Sequence, residues 1–235
     1  MTPNELTADD LAALGVVDTP TICNALELVA PERRAMGFTT EPLVCADPAL
    51  PPIVGYARTA TIRAIAPATL TAEAMRDRRG AYYEYVAQGP GPTVMVIRDI
   101  DPRPGFGAWC GEVNTTVHKA LGCLGCVTNG SIRDLDMLAP GFQLLAGEIG
   151  PSHAHVHVVD FGGAVDVHGM SVRHGDLIHA DRHGAVVVPR AVARALPGAV
   201  DLMTRREKVI LDACAAPGFD IEVLKRAMAD SATVE

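Results

Sequence analysis

Arg133 and Asp134 stand side by side directly after a glycine turn, in the stretch TNGSIRDLD at residues 128–136. A guanidinium offers a planar fork of donors suited to a carboxylate or an enolate oxygen. A carboxylate beside it is a hard oxygen ligand suited to Mg²⁺ or Mn²⁺. At adjacent positions the two could hold a 2-oxo acid by two of its oxygens. The same dipeptide also reads as a solvated ion pair, worth at most about 1 kcal/mol. Spacing alone leaves both readings open.

A third group lies upstream. Gly111 and Glu112 open a segment, EVNTTVHKAL, that reads as a helix of about ten residues. The first N–H groups of a helix have no partner inside it and, with the helix dipole, attract anions. A small carboxylate could sit on the amides of Val113 and Asn114. The plainer alternative is that Glu112 only complements the dipole. The helix leads into a short apolar strand, GCLGCVT, ending at Thr128. Ligands of parallel α/β sheets bind beyond the carboxyl ends of strands, and residues 129–134 lie just there. Asn129-Gly130 supplies the tight turn.

The elements that must position these groups follow from period and punctuation. Residues 4–14 read as a short helix, and Asp18-Thr19-Pro20 starts a second, TICNALELVA. Residues 31–52 hold five prolines and no clear period, so they read as a long loop. IVGYARTATIRAI alternates like a strand. AEAMRDRRGAYYEYVAQ is a helix candidate interrupted by Gly80. PTVMVIRDI is a continuous apolar strand of the kind buried on both faces. After the glycine-rich turn PGFGAWCGE come the helix and strand above. Short β segments follow: GFQLLAGEI, HAHVHVVDF, AVDVHG and DLIHADRHGAVVVP. From Arg190 onward the pattern is helical, with a Pro-Gly break before a last short helix. The expected class is a layered α/β domain, a single one over 1–235, with a C-terminal helical extension from about 190 to 235.

Composition narrows the function. Hydrophobic residues make up 49 % of the 235 and aromatics only 4 %, so Ala, Val and Leu must fill the core. The net charge of −8 argues against a nucleic-acid binder, which needs a basic footprint. No apolar run reaches the roughly 18 residues that span a bilayer, and the acidic N-terminus lacks the regions of a signal peptide. The expectation is a cytoplasmic protein handling small molecules, away from membranes. The six cysteines are scattered, so a reduced state is expected. Cys123 and Cys126 form one C-x-x-C without the second pair a structural zinc site needs. His153, His155 and His157 in SHAHVHV would share one strand face. They could bind zinc, or line a solvent or interface face, or His153 alone could reach the distal part of a substrate.

The run GEVNTTVHKALGCLGCVTNGSIRD resembles the signature of the RraA-like family, which includes the class II pyruvate aldolases. The matching elements are Gly111, Glu112, Gly122, Gly125, Val127, Gly130, Arg133 and Asp134. A second block, GDLIHADRHGAVVVP, resembles the family at Gly175, Asp176, Asp181, Gly184 and Pro189, and GYARTATI resembles its G-x-A-x-T strand. The resemblance implies a swivelling β/β/α fold, assembled as a homotrimer or a dimer of trimers (a hexamer), with sites between subunits. It implies that Asp134 binds Mg²⁺ or Mn²⁺, directly and through waters. Arg133 would bind the pyruvyl oxygens and stabilise the enolate. Gly111 and the amides of Val113 and Asn114 would hold the pyruvate carboxylate, and Glu112 would orient a water that exchanges the proton. The implied activity is a lyase that cleaves a 4-hydroxy-2-oxo acid to pyruvate, of the 4-hydroxy-4-methyl-2-oxoglutarate or 4-carboxy-4-hydroxy-2-oxoadipate aldolase type. Oxaloacetate decarboxylation would pass through the same enolate. Other members act without the metal site, as regulators that bind and inhibit a partner enzyme such as a ribonuclease. The intact Glu112, Arg133 and Asp134 favour the enzyme. One position departs: the family turn reads Asp-Gly, and here it is Asn129-Gly130, which keeps the turn and loses a charge. If that aspartate serves metal waters or subunit contacts, metal affinity is expected to be weaker. His179 and His183 fall in a turn that looks structural, and Glu207 is a candidate carboxylate across an interface.

Overall fold

The computed structural model describes residues 5–235. In chain order the elements are α1 (Ala8–Leu14), α2 (Thr19–Val29), β1 (Val44–Cys45), β2 (Ile53–Arg63), α3 (Ala72–Ala87), β3 (Thr93–Asp99), α4 (Glu112–Ala120), β4 (Cys123–Thr128) and β5 (Ser131–Ile132). There follow β6 (Gln143–Ala146), β7 (Glu148–Ile149), β8 (His157–Phe161), β9 (Val165–Val167), β10 (Met170–Val172), β11 (Leu177–Asp181), β12 (Gly184–Val188), α5 (Leu196–Ala215) and α6 (Ile221–Ala232). The main sheet runs β1-β6-β4-β3-β2-β11-β12, with β8 also paired to β2. Its centre, β2-β3-β4-β6, is parallel. The long β2 pairs with β11 through its first half and with β8 through its second.

Three layers result, because alternate residues of each strand point to opposite faces. On one face Met95 and Ile97 of β3 meet Tyr82 and Val86 of α3. On the other, Val94 and Val96 meet Val165, Val167, Met170 and Val172 of the β9–β10 hairpin. This hairpin, sheet and helix stack is the β/β/α arrangement expected, with the C-terminal helices in place. Leu11, Ile22 and Leu26 of α1 and α2 join Leu196 of α5 in a third cluster over β11 and β12. Gly125 of β4 is required by close packing, since a Cβ there would lie 2.2 Å from the Gln143 carbonyl oxygen of β6. His179 and Asp181 of β11 fasten α2. The Thr19 amide donates to Asp181 Oδ2 (2.9 Å), and the Thr19 hydroxyl bonds His179 Nδ1 (3.0 Å).

Several expectations need correction. The first helix starts at Ala8, capped by Thr7; residue 4, the start of the helix expected there, lies outside the described residues. Gly80 does not interrupt α3. One interior glycine costs about 1 kcal/mol, and Tyr82 and Val86, fully buried beyond it, outweigh that. The stretch 31–52 is mostly loop but includes a 3₁₀ turn, Pro31–Arg33, and β1. GFQLLAGEI splits into β6 and β7. HAHVHVVDF is a strand only from His157, because Ala154 has φ 45° and turns the chain.

Polar ties fix the carboxyl ends of β2, β3 and β4, where the chemistry was expected. Asn129, just past β4, accepts from the Asp99 amide through Oδ1 (2.8 Å) and donates through Nδ2 to the Asp99 carbonyl (3.1 Å). The Asp99 carboxylate, buried and with its pKa raised by that burial, accepts from the amides of Asp101 (3.0 Å) and Gly105 (2.8 Å). Asp101 accepts in turn from Ala64 and Ile65 at the end of β2. Asn129 is therefore not merely an aspartate without its charge. Ionised aspartate accepts only and would face the Asp99 carbonyl without a proton to give. Asn129→Asp is expected to destabilise the protein by about 1–3 kcal/mol at neutral pH, read as a lower urea midpoint; an unchanged midpoint would remove this role.

Helix α4 is seated by a buried polar pair. His118 accepts the Tyr82 hydroxyl at Nε2 (2.7 Å) and donates from Nδ1 to the Asn114 carbonyl (2.5 Å). Burial lowers its pKa from 6.5 to about 4, so the imidazole is neutral at pH 7. The folded pKa lies below the unfolded one, so this contribution to stability is complete above pH 6.5 and is lost as pH falls toward 4. The loss amounts to at most about 3 kcal/mol. Urea unfolding from about pH 7.5 to about pH 4.5 should show wild type losing stability more steeply than His118→Gln; parallel curves would refute the assignment.

Candidate functional site

The turn after β4 and the N-terminus of α4 meet. Cys110 bridges to Ile132, and the Arg133 amide donates to the Cys110 carbonyl (3.1 Å). Asp134 then takes a left-handed conformation, φ 56° and ψ 42°. A non-glycine residue there costs about 1 kcal/mol or more, and the 3₁₀ turn that follows holds it, with Met137 N–H on the Asp134 carbonyl (2.8 Å). The effect is to turn the carboxylate toward α4. Asp134 Oδ2 accepts from the Glu112 amide (3.3 Å) and lies 3.6 Å from Arg133 Nε. Its Oδ1 and the terminal nitrogens of Arg133 have no partner among the described residues.

Gly111 caps α4 without a side chain, and a larger residue would have to push its neighbours aside. A Cβ there would lie 2.5 Å from Asp134 Oδ2 and 3.1 Å from Arg133 Cγ. With the Glu112 amide taken, the amides of Val113 and Asn114 remain the unpaired donors of the first turn. Val113 is 69 % exposed, so its side chain does not cover them. The Asn114 side chain is committed elsewhere, accepting from the Tyr83 hydroxyl (2.8 Å) and donating to the Trp109 carbonyl (2.6 Å). Thr115 donates to the Gly111 carbonyl (2.9 Å) and accepts from the Ala139 amide (3.1 Å), bracing the helix start against the far side of the turn.

The structure thus brings together Gly111, Arg133, Asp134 and the backbone of Glu112, Val113 and Asn114. The Glu112 carboxylate has no hydrogen bond or ion pair among the described residues. Arg133 and Asp134 keep side-chain exposures of 35 % and 30 %, so their direct contact contributes little stability; its value lies in placement. No three His, Cys, Asp or Glu side chains converge among the described residues. The three histidines do not share a strand face, because Ala154 turns the chain at φ 45° and the strand begins only at His157, and no three-ligand group forms among the described residues. Cys123 and Cys126 are buried free thiols. Cys126 lies 3.8 Å from Cys110, and burial raises its pKa, which keeps it a thiol. Glu207 is exposed on α5.

Sequence reasoning missed three supports: Asp99, Asp101 and the Tyr82–His118 pair. A buried aspartate ending an apolar strand, VMVIRD, was the available signal for the first. Helical spacing hid His118 among polar neighbours.

The description of the RraA-like family, Aldolase/RraA, matches residues 19–187. No curated protein matches. An uncharacterised protein from Pseudomonas syringae pv. tomato is similar in structure, with TM-score 0.70 at 20 % identity over 96 % of this chain and 95 % of that one. Streptomyces coelicolor RraAS2, described as an unusual member of the RNase ES inhibitor RraA family, gives TM-score 0.66 at 22 % identity over 87 % and 96 %. A structure described as novel cellulases from gut-associated microbes gives 0.71 at 15 % over 88 % and 89 %. Names this diverse on one scaffold speak for the fold and leave function to the site. Among the described residues no single helix is long and apolar enough to cross a membrane. From its signature residues at two adjoining strand ends, its β/β/α layering and a family match over most of its length, the chain belongs to the RraA-like family, which spans aldolases and ribonuclease inhibitors.

Proposed function

We propose that the protein is a divalent-metal-dependent lyase that cleaves a 4-hydroxy-2-oxo acid to pyruvate and also decarboxylates oxaloacetate. The observation that carries this reading is the strained Asp134. Its carboxylate lies against Gly111, where an added side chain would displace it, with one oxygen free beside the free end of Arg133. A residue serving only as a surface ion pair has no need of left-handed backbone.

The donor set suits Mg²⁺ or Mn²⁺. Magnesium keeps most of its waters and takes one or two carboxylates plus substrate oxygens, so Asp134 alone on this chain is a sufficient anchor. When bound, the metal would supply Lewis-acid polarisation of the substrate's C2 oxygen. The chain's own groups do the rest. The amides of Val113 and Asn114 bind the C1 carboxylate. Arg133 binds the C2 oxygen and stabilises the charge that develops there as the C3–C4 bond breaks. The bonding electrons pass into the pyruvate enolate. The C4 hydroxyl loses its proton to a water oriented by Glu112, leaving a carbonyl product, and C3 regains a proton by the same route. In oxaloacetate the leaving group is CO₂. The assembly proposed is a homotrimer or a hexamer with the open face completed by a neighbouring subunit, for which Glu207 is a candidate donor; the chain is read as one domain working in the cytoplasm.

The second reading, a non-catalytic trimeric regulator that binds and inhibits a partner such as a ribonuclease, draws on the likeness to RraAS2. It leaves the geometry of Asp134 without a purpose.

Pyruvate release from oxaloacetate and from 4-hydroxy-4-methyl-2-oxoglutarate should appear with Mg²⁺ or Mn²⁺ and vanish with EDTA. Arg133→Ala should lower kcat by about 10²–10³, the usual loss of one donor to a developing oxyanion. Absence of metal-dependent turnover, or an unchanged rate in Arg133→Ala, would overturn the lyase reading. Gly111→Ala should displace the Asp134 carboxylate and raise the metal concentration needed for half-maximal rate, with little change in the thermal midpoint. An unshifted metal dependence would mean that Asp134 is not the anchor.

A further inference from the structure

A cavity of about 320 Å³ lies between the start of α3 and strand β8, apart from the Arg133–Asp134 site. Its floor is apolar, with Met75 and the ring of Trp109, and its rim carries Arg76, Arg78, Arg79 and His157. No carboxylate lines it, in a chain whose net charge is −8. Arg78 donates to the Val159 carbonyl of β8, and the Arg79 guanidinium lies 5.6 Å from the Trp109 ring centroid. None of the three arginines forms an ion pair among the described residues. Trp109 is only 5 % exposed, and its Nε1–H is buried without an acceptor. The ring of Trp109 thus meets the cavity while its N–H is turned away from solvent.

We propose that this cavity is a second binding site, for a small acid bearing a carboxylate on an apolar body. The apolar part would lie against Trp109 and Met75. The carboxylate would face Arg76 and Arg79. A bare inorganic anion would leave the floor unfilled, and a neutral apolar molecule would leave the arginines unmet. Binding of the acid does not depend on the lyase reading; only its assignment to the substrate does. Its ligand is either the far end of the substrate or a separate acid, for Trp109 sits two residues before Gly111 and its carbonyl is held by Asn114 (2.6 Å).

Trp109 is the sole tryptophan, so its fluorescence reports the cavity directly. Titration with benzoate should give a saturable change, confirmed by calorimetry, and benzyl alcohol should give none. Arg76→Ala and Arg79→Ala should each weaken benzoate about tenfold, the loss of one charge-assisted hydrogen bond. Arg79→Lys should weaken it less, and Arg133→Ala should leave it unchanged. Circular dichroism checks that each variant folds. Where turnover is measured, competitive inhibition by benzoate assigns the cavity to the far end of the substrate, and binding without inhibition assigns it to a separate acid. A protein with no turnover can still bind benzoate, so the two proposals fail separately. Non-saturable benzoate binding, equal binding of benzyl alcohol, or full affinity in both alanine variants would overturn this one.

Discussion

The carboxyl end of the sheet depends on one amide side chain gripping one peptide. The parallel ladder between β3 and β4 ends at Ile97 opposite Thr128. Beyond it the backbone of Asp99 has no strand to pair with on that side. Asn129 supplies the missing rung with its own carbonyl and amino group. The ladder is thereby extended by a side chain at the place where the main chain must turn away toward Arg133. Without that rung the loop from β3 to α4 and the turn after β4 would be tied only at their far ends, by Cys110 and Ile132. Arginine and aspartate can act together only if these two segments keep their distance to a fraction of an ångström.

From this tie the order passes outward through backbone. Asp99 gathers the amides of Asp101 and Gly105, and Asp101 gathers those at the end of β2. Thr115 clasps the start of α4 to the segment after the turn. Each bond is modest by itself, roughly 1 kcal/mol, but together they hold Asp134 in a conformation it would not choose. Strain of that kind persists only where the surroundings over-determine it. Gly111 completes the arrangement by being absent where a side chain would collide, and it leaves the amides of α4 open.

The parts of this architecture with a strong period or a local cap were legible in the sequence. The apolar run at 92–100, the helix after Gly111 and the capped start at Asp18 read correctly, because burial and capping act locally. The juxtaposition of Gly111 with Arg133 and Asp134 was legible from the family signature. What stayed hidden depended on contacts between distant residues. Asn129 read as a loss of charge because its bonds to Asp99 span 30 positions. Gly80 read as a break because its cost is visible in sequence and the burial of Tyr82 that offsets it is not. The histidines of SHAHVHV read as one strand face because alternation gives no hint that Ala154 turns the chain.

Charge distribution bears on both sites. The chain is acidic as a whole, with a pI near 5.4. Yet three arginines gather around one cavity that no carboxylate lines, while at the other site Arg133 shares its place with Asp134 and Glu112. A polyanion such as RNA would meet repulsion over most of the surface. A small acid would feel the field of one cleft, which the low-dielectric walls focus. At the arginine cavity, selection for a small anion therefore follows from local placement of charge rather than from net charge. Trp109 stands between the two, its carbonyl fixed by a side chain from the first turn of α4 and its ring under Arg79. The segment from Trp109 to Glu112 cannot move without disturbing both. Any ligand that fills the arginine cavity and firms the position of Trp109 would also firm the helix start on which Asp134 rests.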